Sequence, residues 1–361
     1  MENLFDKILI CIDNGRLSDV MSDMTTKIAA GFGSAVVGLH AYNAVMHEDA
    51  FRIMEPTLPA QYQKEEILQK QRNSHTDLIS VGMEKISLSY LKPIEQIFNG
   101  AGIEYRSKVK EGKNFKALNQ MIAEEDGDLV VIGSSSFNGN GNGNGKGYLG
   151  SVCLRVLRDS GRRDVLVVKK AISNQNPRFL VGLDGSAASV EALYAAKHFA
   201  LKFNGRIHTA YVFDSNLHKD IFLRLKDSLI NSDGFKFNTK DQEKMHDLFI
   251  DKGLERVGEM ILDRAESEVF GDSSVSANFG DFGLAKQRGL ERPVKMILEG
   301  HIHNELCAYG DSIGADIIFI GRTGRHFIDD MDIGSIAENV VRYAGCNVFI
   351  SKHKEYNGWE V

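Results

Sequence analysis

Residues 316–352, "DIIFIGRTGRHFIDDMDIGSIAENVVRYAGCNVFISK", gather the residue types that hold a phosphate. Gly321 and Gly324 have two residues between them, nine more lead to Gly334, and Ser335 opens a helix-like run. Glycines at a strand end let the backbone turn closely around a ligand at the carboxyl edge of a sheet. Gly334-Ser335 would then offer main-chain amides and a hydroxyl at a helix N-terminus, where an anion is favoured. Arg322, Arg325 and His326 share this loop and could neutralise phosphate oxygens. The acids of "FIDDMD" (327–332) read either as a solvated loop or as a hold for Mg²⁺ beside those phosphates.

Other near-motifs fail on spacing or context. The tract "FNGNGNGNGKGYLGS" (137–151) has Asn140 where a Walker A loop needs its first glycine, and Gly147 where it needs Ser or Thr. Gly145, Gly147 and Gly150 fit a dinucleotide fingerprint literally, but the preceding strand ends near Gly133, too far away for the tight turn. His301 and His303 in "GHIHN" lack a clear third metal ligand and read as ordinary polar histidines. Ser186 has no base and acid at the spacing of a hydrolase triad.

The elements that must position these residues occur twice. "KILICIDNG" (7–15) matches "RFLVGLDGS" (178–186), each an apolar run ending in an aspartate, Asp13 or Asp184, followed by a glycine turn. A helix-length segment and a second strand follow in both, "AVVGLHAY" (35–42) and "RIHTAYVF" (206–213). Later, "DLVVIG" (128–133) corresponds to "DIIFIG" (316–321), and Gly150-Ser151 to Gly334-Ser335. The repeat divides the chain into 1–172 and 176–361, with "AISNQNP" (171–177) as linker. Alternating strands and helices imply parallel sheets with right-handed crossovers, and strands apolar on both faces imply helices on each side.

Each half carries a long excursion between its second and third strands, 43–104 and 214–293. In the second, Leu248, Leu254, Val257, Ile261 and Leu262 recur at helical spacing, and "GDSSVSANFGDFGLAKQRG" (271–289) reads as a loop.

The pattern G-x-x-G-x9-G-S, with "VGLDGS" (181–186) at the first strand, closely resembles the nucleotide-binding universal stress proteins. The resemblance covers both halves, as in tandem members of that family. It implies two open five-stranded α/β domains, Rossmann-like and of the adenine nucleotide alpha hydrolase type, with ATP at the sheet edge. Carried over by position, Asp184 would stand by the ribose or its metal, Gly185 in the turn, and Val212 near the adenine. Gly321, Gly324, Gly334 and Ser335 would take the ribose-phosphate run, with Ile336 contributing a backbone amide. In the first half Asp13, Gly133, Gly150 and Ser151 keep their places. Ser136 replaces the second glycine there, and thirteen residues instead of nine precede Gly150. ATP, with or without Mg²⁺, is therefore expected mainly in the second half. The family's habit also implies edge-to-edge pairing of the two halves as an internal pseudo-dimer, and allows a homodimer.

Composition bounds the alternatives. With 43% hydrophobic and 25% charged residues the chain is globular, and a net charge of −6 gives no reason to expect nucleic acid as partner. No apolar run approaches the roughly 18 residues of a membrane span. The start, "MENLFDKILICID", is acidic and strand-like at once, so a leader is not expected and a cytoplasmic location is. Cys11, Cys153, Cys307 and Cys346 are scattered and read as reduced buried thiols. The expected role is regulatory or protective rather than enzymatic. Two rivals stay open: an ATP-hydrolysing enzyme using Asp184 with Mg²⁺ on Asp329 or Asp330, and a scaffold protein with vestigial nucleotide sites.

Overall fold

The computed structural model describes residues 4–134, 149–161, 163–172, 175–215, 239–271, 290–325 and 332–352. The described residues up to Ala171 form one compact unit, and those from Ile172 onward form a second.

The first unit holds β1 (Lys7–Cys11), β2 (Ala35–Tyr42), β3 (Tyr105–Glu111), β4 (Leu129–Gly133) and β5 (Asp164–Val168). They lie in the order β3-β2-β1-β4-β5, and every pairing is parallel. Helices α1 (Ser18–Phe32), α2 (Ala44–Met54), α3 (Glu65–Gly100), α4 (Asn114–Glu125) and α5 (Ser151–Asp159) connect them. The second unit repeats the order as β10-β9-β6-β7-β8, again all parallel. Its strands are β6 (Arg178–Gly182), β7 (Arg206–Phe213), β8 (Val294–Glu299), β9 (Ile317–Gly321) and β10 (Asn347–Ser351). Its helices are α6 (Ala187–Phe203), α7 (Thr239–Phe270), α8 (Ile302–Ser312) and α9 (Ser335–Tyr343). In this doubly wound order the chain leaves the central strand in opposite directions, which opens a crevice at the carboxyl ends of β1 and β4, and of β6 and β9.

The repeat holds bond by bond. Asp128 Oδ2 accepts from the amides of Asp6 and Lys7 at 2.9 Å, and Asp316 Oδ2 accepts from the Arg178 amide at 2.9 Å. These carboxylates stitch the start of each central strand to its neighbour. The Ile12 amide donates to the Leu39 carbonyl at 2.8 Å, and the Leu183 amide to the Ala210 carbonyl at 2.9 Å. Each pair keeps the central strand in register just before Asp13 or Asp184.

The cores differ in filling. Strands β1, β4 and β5 are buried and largely aliphatic, with Phe5 and Phe32 edge to face at 5.4 Å. In the second unit Phe179, Phe199, Phe319 and Phe349 form one cluster, with centroid separations of 5.0 to 6.2 Å. Such contacts add stabilisation beyond area burial alone. Helix α6 packs with α7, and α8 with α9, so the sheet is covered by two helix pairs.

Both excursions contain long helices, α3 running on through Pro93 and α7 matching the predicted helical spacing. Ile261 and Leu262 are buried, and Leu254 and Val257 are half-buried. The side chain of Leu248 and the loop expected at 271–289, beyond Gly271 itself, lie outside the described residues. Lys197, itself buried, donates from Nζ to the Val269 carbonyl at 2.8 Å and so caps the last turn of α7. No described helix is long and apolar enough to cross a membrane.

Candidate functional site

The β6–α6 turn builds one wall of the second unit's crevice. Asp184 Oδ1 accepts from the Ser186 amide at 2.9 Å and from its hydroxyl at 2.6 Å, closing an Asx turn. Gly185 sits between them at φ 81°, a backbone state that a side chain would strain. Ser186 is also the N-cap of α6, its Oγ accepting from the Ser189 amide at 3.2 Å. Its conformational role was readable from a short hydroxyl residue just before a helix.

The loop after β9 forms the other wall. Asp184 Oδ2 faces Gly324, where a Cβ would stand only 2.8 Å from it. The Arg325 guanidinium lies over Gly185, with Nη2 2.4 Å from where a Cβ would be. Thr323 joins the two walls: its carbonyl is 3.4 Å from Ser186 Oγ, and its Cα is 3.8 Å from the Cβ position of Gly334. Tyr211, two residues before the end of β7, has its hydroxyl pKa raised mainly by burial. Arg325 acts against that shift and Asp184 adds to it, which places all three groups within electrostatic reach. Val212 beside it is buried.

Helix α9 starts at this loop. Gly334 is an extended N-cap without a side-chain cap bond, and Ser335 and Ile336 are exposed. The first intrahelical bond is from Glu338 to the Gly334 carbonyl at 3.0 Å, so the amides of Ser335, Ile336 and Ala337 precede it. Those donors, the Arg325 cation and the Asp184 carboxylate fit a phosphorylated ligand with an optional divalent cation.

Three expectations meet a different geometry. At Gly321 a Cβ would lie 2.8 Å from the Ala188 backbone, so its bareness lets α6 approach β9. The Gly334 amide is taken by the Arg322 carbonyl at 2.9 Å. Arg322, expected to reach phosphate oxygens from the loop, is 1% exposed, and its Nη1 donates to the Asp332 carbonyl at 3.3 Å. His326, Asp329 and Asp330 lie outside the described residues.

In the first unit, Asp13 Oδ1 accepts from the Gly15 amide at 2.8 Å, so Gly15 takes the place of Ser186 rather than that of Gly185. Helix α1 begins at Ser18, five residues after Asp13, whereas α6 begins three residues after Asp184. The added length brings Leu17 over Gly133, with Cδ1 3.3 Å from its Cβ position and Met21 Sδ at 3.2 Å. Gly150 is an extended N-cap like Gly334, its amide donating to the Ser134 carbonyl at 2.8 Å, and Ser151 is exposed. Ser136 and the Asn-Gly tract through Tyr148 lie outside the described residues.

The two histidines of 300–304 go separate ways. His301 Nδ1 is 2.9 Å from Asp214 Oδ2, while the His303 ring sits 5.7 Å from that of Tyr343. All four cysteines are buried and outside any disulfide, and burial pushes the thiols of Cys11 and Cys153 up to about 12.

The fold and its bond-by-bond repetition define a tandem, Rossmann-like α/β protein. The profile of the Universal stress protein family matches residues 4–169 and 249–352. The chain belongs to the universal stress protein family, as a tandem-domain member. It is 24% identical over 179 residues, half of this chain and 84% of the other, to a universal stress protein of Methanocaldococcus jannaschii. The solved structure of a universal stress protein from Archaeoglobus fulgidus matches with a TM-score of 0.57 at 18% identity, covering 98% of this chain and 99% of that one. A putative universal stress protein from Pseudomonas aeruginosa matches with a TM-score of 0.55 at 13% identity, covering 96% and 93%.

Proposed function

We propose that this chain is an ATP-binding universal stress protein that holds the nucleotide in its second unit and acts as a regulatory or protective protein. The observation that carries the reading is the meeting, at the switch point between β6 and β9, of the Asp184 carboxylate, the Arg325 guanidinium and the opening amides of α9. The amides and Arg325 would bind the phosphates, Asp184 the ribose or a magnesium ion, and the backbone at Val212 the adenine. The first unit keeps Asp13 and Gly150-Ser151, but Leu17 overlies Gly133, so nucleotide is expected there only secondarily.

Denaturing the purified protein and counting released adenine nucleotide tests the reading, together with ATP titration of the stripped chain. One nucleotide per chain is expected, and two would add the first unit. Gly334→Val is the informative variant. Among the described residues a Cβ there meets only the Arg322 carbonyl at 3.4 Å and Thr323 at 3.8 Å, and φ is −68°, so they accommodate a side chain that would crowd the phosphates. ATP affinity should fall by about tenfold or more, roughly 1.4 kcal/mol. Unchanged affinity in Gly334→Val, or no binding by the parent chain, would sink the proposal.

A further inference from the structure

Both ends of the β9–α9 loop are tied by one residue. The Arg322 carbonyl accepts from the Gly334 amide, and the Arg322 side chain reaches across to the Asp332 carbonyl. The flanking residues Thr323 and Ile333 are buried, and Arg322 is itself fully buried, the largest such side chain among the described residues. In the first unit the same position is Ser134, whose carbonyl makes the equivalent bond to Gly150. A serine has no side chain long enough to add the second tie.

We infer that Arg322 is a positioning residue that sets the spacing between the G-x-x-G turn and the start of α9. It does so from beneath, as a strut, and does not itself touch the ligand. Taking a guanidinium out of water is unfavourable, and the bond from Nη1 to the Asp332 carbonyl offsets part of that cost. An apolar side chain would fill the same volume without that cost, but it would leave the carbonyl of Asp332 unheld. The consequence is pre-organisation: with the loop ends fixed beforehand, less ordering remains when a phosphate chain binds. The strut rests on the proposed ATP site for its functional meaning. It also predicts a property of the ligand-free protein.

Full-length Arg322→Ser, which places the first unit's residue in the second, is compared with Arg322→Lys and the parent chain. Amide exchange without ligand reads the strut directly. The Gly334 amide should exchange about tenfold faster in Arg322→Ser, while that of Val340, deeper in α9, should not change. Titration with ATP and with adenosine reads the consequence. ATP should weaken about tenfold in Arg322→Ser and adenosine less than about twofold, because only the phosphates use the loop. Arg322→Lys, which keeps a donor able to reach a carbonyl, should recover part of the ATP affinity, and it carries the same comparison where the serine variant does not fold. Equal losses for ATP and adenosine, or unchanged exchange at Gly334, would overturn the inference. Absence of binding of either ligand by the parent chain would instead remove the ATP reading, leaving exchange at Gly334 to decide the strut.

Discussion

His198 is half-buried in α6, its ring 4.5 Å from that of Tyr194, and desolvation with help from Lys197 and Lys202 holds its pKa down to about 4. The unfolded chain would protonate the same imidazole near the ordinary value of 6.5. The folded state therefore binds the proton less readily. Its stabilising contribution is complete above pH 6.5 and is lost as the pH falls from there toward 4. The size is on the order of 2–3 kcal/mol. Urea midpoints at pH 7.5 and pH 4.5 should differ more for the parent chain than for His198→Phe, which has nothing to protonate there. An equal pH dependence in the two proteins would show that other groups carry it.

At the scale of elements, α7 packs on β7, and Gly258 faces Tyr211 there. A Cβ at Gly258 would lie 2.4 Å from Cδ1 of Tyr211, the tyrosine that shares the electrostatics of Asp184 and Arg325. A helical glycine is ordinarily less stable than alanine by about 1 kcal/mol, so Gly258→Ala on an open face would stabilise. Here it should destabilise by about 1–3 kcal/mol through overpacking. In a Tyr211→Ala background the same Gly258→Ala substitution should cost much less, because the two positions are in contact. Denaturation of the four proteins of this cycle supplies the measurement, and a more stable Gly258→Ala would refute the contact. The salt links of Lys295 to Asp263 and Glu266 anchor the last turns of α7 to β8, so a displacement at Gly258 has little slack to absorb it.

At the scale of the whole molecule, the two units have separate cores and unequal sites. Saturating ATP should therefore raise exchange protection in β6, β9 and β10 well above any effect in β1, β4 and β5. At a hundredfold excess over Kd the expected gain is about 2.7 kcal/mol for amides that exchange through global opening of the second unit. Equal protection in both units would mean that the first, despite Leu17, binds as well. The rival enzymatic reading is separated at this scale too, since ATP that persists through the exchange experiment is bound rather than consumed.

Sequence alone was sufficient for the repeat and for the alternation of strands and helices. Those features are written locally, in runs such as "DLVVIG" and "DIIFIG" that can be buried only in a covered sheet, and in Gly-Ser pairs that open helices. Even the family could be read from the spacing of Gly321, Gly324, Gly334 and Ser335. What each glycine is for could not. Gly321 is bare because Ala188, more than a hundred residues earlier, packs against it; Gly15 and Ser186 became equivalent only when their hydrogen bonds were seen. Arg322 looked like a phosphate ligand, being basic and in the loop, yet the fold turns it inward to Asp332. Spacing along the chain limits which groups can meet, but the direction of a side chain depends on packing by segments distant in sequence, and only the tertiary structure decides that.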